Sequence, residues 1–220
     1  MDTSAARRAI FSRIRKAHQR PETPTDAERD AVQAYLRQHP AGPRPDIGAD
    51  ILLRFREQAL RMSDTVDDVA AMTDVPAAAA RYLDALGIAK SAIAWQTLTS
   101  LAWAEAGIAV EFRPPKNADL VGITGSYCAV AETGTLLLLS GPETYASASL
   151  LPETHIAIVA ASRIVASMED AFALVRAERG ELPRAANFIS GPSRTGDIEQ
   201  TIVIGAHGPY RVHVILVNGA

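Results

Sequence analysis

The sequence predicts an α/β fold, a mostly parallel sheet flanked by helices, with a helical arm ahead of it. Three observations lead there. From Asp50 onward, helical stretches alternate with short apolar runs. Several of those runs are almost continuously apolar, which suits strands buried on both faces of a helix-covered sheet. The first part of the chain differs in kind: up to Asp46 it holds nine Lys/Arg against six Asp/Glu, whereas the remainder is net acidic.

In chain order, Ile10, Phe11 and Ile14 form a short helical stripe in a basic segment that Pro21 and Pro24 interrupt. Thr25 followed by Glu28 has the spacing of a capping box, so a second helix is expected to run to about His39. Pro40, Gly42, Pro43 and Pro45 then mark a linker. The expected division is an arm with linker over 1–45 and an α/β domain over 46–220. Helices are predicted over 51–61, with Leu52, Phe55, Ala59 and Leu60 on one face, over 76–86, opened by Pro76 and closed by Gly87, and over 169–179. Strands are predicted over 92–95, 108–112, 120–124, 135–139, 155–160, 186–190 and 211–217.

With 48% hydrophobic and 21% charged residues the chain can bury a substantial core, and its net charge of -3 gives no general attraction for nucleic acid or anionic membrane. One cysteine, Cys128, excludes intramolecular disulfides, cysteine-built zinc sites and an iron–sulfur cluster held within this chain. Arg7 and Arg8 are not followed by a signal-peptide apolar run, and no stretch approaches the roughly 18 apolar residues of a membrane span. A cytoplasmic protein without a membrane span is expected.

Ligands of open α/β sheets collect beyond the carboxyl ends of the strands, so the informative polar residues should follow apolar runs. Three segments fit. In 122–135, GITGSYCAVAETGT, an apolar run ends in Gly122 and Gly125, and Glu132 stands in a small, apolar stretch followed by Thr133 and Gly134. That carboxylate either points into a crevice or caps the turn. In 190–199, SGPSRTGDIE, Ser193, Arg194, Thr195 and the glycines resemble an anion cradle, in which Arg194 can hold a carboxylate or phosphate bidentately; alternatively this is an ordinary loop in which Ser193 or Thr195 caps a helix and Arg194 pairs with Asp197 or Glu199. In 205–213, GAHGPYRVH, His207 sits between glycines where an imidazole can act as acid, base or donor. His213 reads as a hydrogen-bonded sheet or core residue and His155 as a turn-closing one. There is no P-loop, no G-x-G-x-x-G, no G-x-S-x-G elbow and no metal-binding His spacing, and Cys128 among Tyr127, Ala129 and Val130 reads as a buried hydrophobe.

These segments, in this order, resemble the lactate utilization protein C family, whose shared unit is the LUD domain. GITGSYCAVAETGTLLLLSGPE, SLLPETHIAIVAASRIV, SGPSRTGDIEQTIVIGAHGP and RVHVILVNG carry the resemblance over about 119–219. It implies a Rossmann-like sheet similar to the sugar-phosphate isomerase and CoA-transferase group, and a place in a three-protein system oxidising L-lactate to pyruvate. Two partner proteins would carry the iron–sulfur clusters, and this chain would carry no cofactor. The family pattern has an acidic residue two positions after GITG, where this chain has Tyr127.

The expected site, for a small carboxylate or other anion, combines Glu132 and His207 as catalytic groups with Gly125, Thr133, Gly134, Ser193, Arg194 and Thr195 as ligand-binding ones. The competing expectations are a stand-alone CoA-transferase or isomerase using Glu132 as nucleophile or base, and an interaction protein whose basic arm docks an iron–sulfur partner.

Overall fold

Helix α1 (Ser4–Ala17) and helix α2 (Asp26–Gln38) open a computed structural model that describes residues 3–196 and 202–219. The chain divides into two compact units, Met1–Arg44 and Pro45–Ala220. In the first, the capping box on α2 is present: the Glu28 N–H donates to Thr25 Oγ1 at 3.2 Å and the Thr25 N–H to Glu28 Oε2 at 2.8 Å. Neither helix buries a residue, and Ile10, Phe11, Val32 and Tyr35 stay exposed, as a two-helix segment too small for a core of its own requires.

The second unit is built on six parallel strands, β1 (Thr65–Val69), β2 (Ser91–Ala94), β3 (Ala109–Glu111), β4 (Val121–Gly125), β7 (Thr154–Ala160) and β12 (Arg211–Val217), in the order β1-β12-β7-β4-β2-β3. Edge strand β1 lies outside the predicted elements because Asp67 and Asp68 break its apolar pattern. The two aspartates point to opposite faces. Asp67 accepts from Arg81 of helix α4 (Val75–Leu86) at 2.8 Å, and Asp68 accepts from Arg56 of helix α3 (Ile51–Arg61). The strand is thus tied to one helix on each side of the sheet.

α3 buries Phe55, Gln58 and Ala59 and leaves Leu60 52% exposed, so its inward stripe is shifted from the predicted one. α4 starts with Pro76 in its first turn and ends on Gly87 at φ +65, the left-handed cap its sequence predicts.

The runs at 135–139 and 186–190 do not join the parallel sheet. They form β6 (Thr135–Leu139) and β9 (Ala186–Ile189) of a second sheet, ordered β8-β5-β6-β9, with β5 (Cys128–Val130) and β8 (Ile164–Val165). β6 is antiparallel to both its neighbours. Its continuous apolar run has a simple cause. Leu136 and Leu138 enter the main core, whereas Leu137 and Leu139 pack with Cys128, Val130, Ala171 and Val175, the last two from helix α5 (Met168–Arg179). A continuous run reports burial on two faces, whichever way the neighbours run. β10 (Arg194–Gly196) and β11 (Ile202–Ile204) make a separate two-stranded antiparallel sheet.

His155 does not close a turn. It lies fully buried inside β7, its Nε2 2.8 Å from Thr124 Oγ1 on β4.

Candidate functional site

The AETG turn joins β5 to β6. The Gly134 N–H donates to Val130 O at 3.0 Å, and the N–H groups of Ala131 and Glu132 donate to Val165 O and Ala166 O at 2.8 and 3.0 Å. The Thr133 and Thr135 hydroxyls are 2.7 Å apart. Gly134 has φ +67, and a Cβ there would sit 2.5 Å from the Ala59 nitrogen, so only glycine lets this turn rest directly on α3. Glu132 is half-buried in the turn and Thr133 is exposed at its tip.

The SGPSR loop arrives at the same place from the other side. Ser190 Oγ donates to Thr133 O at 3.4 Å. Gly191, at φ +75, lies against the end of α3, where a Cβ would come within 2.2 Å of Met62 O. Arg194 Nη2 donates to Met62 O at 2.7 Å and to Ser63 Oγ, occupying a carbonyl that the helix end leaves without an internal partner. Ser63 itself holds φ +74. The Ser193 N–H donates to Pro209 O, and Ser193 O accepts from the Gly205 N–H, both at 2.9 Å. Thr195 pairs with Val203 across the β10–β11 ladder. His207 is exposed in the bend before β12, next to Gly208, whose backbone lies against the Ser193 side chain.

The AETG turn and the SGPSR loop rest on the end of α3, which leads into β1, and Ser193 is bonded to the bend that leads into β12, so they meet at the amino edge of the parallel sheet, and the expected crevice at the carboxyl ends is corrected accordingly. Thr133, Gly134, Ser193 and Arg194 come together there, with Glu132 in the same turn and His207 one loop away. Gly125 does not join them. It ends β4 at the opposite edge, 3.7 Å (to a Cβ built on it) from the Trp95 ring. Asp197 and Glu199, the alternative partners of Arg194, lie outside the described residues.

The residue that sequence reasoning missed is Asp64, the last before β1. It is 4% exposed, and its Oδ1 has no hydrogen-bond partner among the described residues. Burial pushes its carboxyl up to about 7, against the opposing pull of the Arg194 charge. A carboxylate at a helix-to-strand joint is the available signal, and it is visible only once β1 is recognised. Beside the same edge, Leu151, Glu153, Ile204, Gly205, Gly208, Tyr210 and Arg211 line an open cleft of about 310 Å³. Arg211 Nη1 donates to Thr154 Oγ1 at 3.1 Å, and the guanidinium lies 5.0 Å from the centre of the Tyr210 ring.

His213 Nδ1 is 2.8 Å from Thr65 Oγ1, and burial pulls its imidazole down to about 4. Burial raises the Cys128 thiol to about 11, which removes the thiolate that nucleophilic chemistry needs. Among the described residues no group of three or more His, Cys, Asp or Glu side chains gathers to hold a metal, and no helix is long and apolar enough to cross a membrane.

A family model described as the LUD domain matches residues 58–217. Relatives named Lactate utilization protein C include one from Geobacillus sp. (strain WCH70), 46% identical over 101 residues, and one from Bacillus subtilis (strain 168), 45% identical over 101 residues; each match covers 44% of this chain and 42% of the relative. A third, from Bacillus velezensis, is 37% identical over 135 residues and 56% of each chain. The matched stretch thus spans less than half the length of the first two relatives. Among solved structures, the crystal structure of a DUF162 family protein from Deinococcus radiodurans superposes with a TM-score of 0.61 at 27% identity, covering 79% of this chain and 100% of that one.

Proposed function

This chain belongs to the LUD domain family, and from that premise we propose that it is a cytoplasmic component of a lactate utilization system that oxidises L-lactate to pyruvate. Relatives named Lactate utilization protein C support the lactate utilization part of this reading. In this reading the electrons pass to iron–sulfur partner proteins. The chain's one cysteine is buried among apolar side chains, which supports assigning the clusters to partners.

The observation that carries a ligand-binding role is the meeting of the AETG turn and the SGPSR loop on the end of α3. Two left-handed glycines remove side chains where the loops touch the helix, and hydroxyls and a guanidinium remain. Such a surface suits a small carboxylate: the guanidinium of Arg194 pairs with its charge, and the Ser193 and Thr133 hydroxyls can complete its hydrogen bonds. Glu132 and His207 stand beside it as the groups able to move a proton.

The test is a tagged pull-down from lactate-grown cells, scored for iron–sulfur polypeptides and for lactate-dependent dye reduction. Recovery of both is expected. Recovery of the chain alone and inactive under gentle conditions would count against the oxidation complex. Arg194→Ala and Glu132→Ala should each lower lactate-dependent growth, and intact growth in both sinks the ligand site.

A further inference from the structure

Asp64 is the least explained polar group of the amino edge. Its backbone is fixed, since its N–H donates to Ala59 O at 3.0 Å, yet carboxyl oxygen Oδ1 is buried and receives no hydrogen bond from the described residues. A buried carboxylate without donors is costly, and proteins that keep one have a compensating partner or a use for the proton. The nearest compensating charge is Arg194, which bonds Met62 and Ser63, the two residues immediately before Asp64. From α4, Tyr82 faces the same group; burial raises its hydroxyl, and the negative charge of Asp64 adds a smaller push in the same direction. From β12, Arg211 acts on Tyr82 in the opposite sense, and His213, stacked on Tyr82, is neutral above about pH 4. Among the described residues, Arg194 is therefore the cation that acts directly on the Asp64 carboxyl.

We infer that Asp64 is the proton acceptor coupled to anion binding at this edge: a small carboxylate that engages Arg194 raises the proton occupancy of Asp64, so that binding is accompanied by proton uptake there. The inference rests on the anion-site reading above and adds its proton stoichiometry. An incoming carboxylate neutralises the guanidinium field that favours ionised Asp64 and adds a negative charge of its own. Both effects favour the neutral acid. In those molecules where Asp64 is ionised, carboxylate anion, one proton from solvent and protein give a complex in which Asp64 is a neutral carboxylic acid; where it is already protonated, the anion binds without a proton. By linkage, anion affinity falls as pH rises through the Asp64 midpoint, and saturating anion raises that midpoint by the same coupling.

The experiment is a carbon-detected NMR titration of the full chain, carboxyl-labelled at aspartate and assigned through the Asp64 backbone, so that no variant is needed for the assignment. It is run without ligand and with saturating sodium L-lactate, then sodium acetate. In the parent chain, ligand should raise the Asp64 midpoint by about half a pH unit or more, roughly a threefold gain in proton affinity. In Arg194→Ala the midpoint should already be raised without ligand, and lactate should move it no further. If lactate shifts resonances of the SGPSR loop while the Asp64 midpoint stays still, this inference falls and the anion site stands. If neither anion shifts any resonance at this edge, both fall. A carboxyl that titrates at the ordinary aspartate value also overturns the inference.

Discussion

Tyr82 lies flat on His213, ring centroids 3.8 Å apart and planes within 6° of parallel. The contact joins α4 to the second strand of the sheet. It also seals an imidazole whose Nδ1 is 2.8 Å from Thr65 Oγ1, close to the entry of β1. Both deeply buried histidines of this domain, His213 and His155, are held neutral by burial, at about 4 and about 3. Neither is poised for acid–base work near neutrality, which leaves them structural roles.

That neutrality fixes the sign of one pH effect. A base whose folded pKa is depressed takes up its proton first in the unfolded chain, so stability is lost as pH falls from about 6.5 toward the folded value. For His155 the loss between about pH 7 and pH 5 is on the order of 2 kcal/mol. Urea unfolding of the parent chain and of His155→Gln at both pH values checks this. The variant should be less stable at the higher pH and lose less on acidification. Equal losses in the two proteins would refute it.

Asp64 has the opposite sign. Its folded pKa is raised to about 7, so the unfolded chain ionises first and stability falls as pH rises from about 4 through 7. Asp64→Asn removes the buried charge and should stabilise the domain by about 2 to 4 kcal/mol at pH near 8, with little gain near pH 4. Thermal unfolding across that range measures it, and a destabilised variant at pH 8 would contradict the buried, unpaired carboxyl.

Glycine substitutions separate backbone strain from collision. Gly134, Gly180 and Gly191 all have positive φ. A Cβ at Gly180 meets nothing within 4 Å, whereas at Gly134 and Gly191 it runs into the backbone of α3 and of Met62. Gly180→Ala should cost about 1 kcal/mol, and Gly134→Ala or Gly191→Ala about 3 kcal/mol or more, in denaturant unfolding. Equal costs at the three positions would mean that the loops do not rest on the helix as described.

Cys128 is fully buried, with its thiol raised to about 11. Iodoacetamide should label it about a hundredfold more slowly in the folded chain than in urea. Rapid labelling of the native protein would reopen a thiol mechanism.

The positions of the polar loops show where sequence reading stops. The α/β class, α2 with its capping box, α4 between Pro76 and Gly87, and the strands β4, β7 and β12 were legible because helix caps and apolar runs are local signals. β1 was not, because Asp67 and Asp68 are satisfied by arginines 14 and 12 residues away on two different helices, Arg81 and Arg56. The segments AETGT and SGPSR stand out by composition, yet their place at the amino edge depends on which sheet each flanking strand joins.

The sequence by itself determined the fold class, the family to which the domain belongs and the polar segments worth attention, since periodicity, turn chemistry and motif order are written along the chain. Only the tertiary structure decided that β6 and β9 form a separate layer, that the candidate loops gather on the end of α3, and that Asp64 lies buried near Arg194. Burial and charge pairing between distant segments are properties of packing, and an isolated aspartate between a helix and a strand carries no mark of the solvent it will lose.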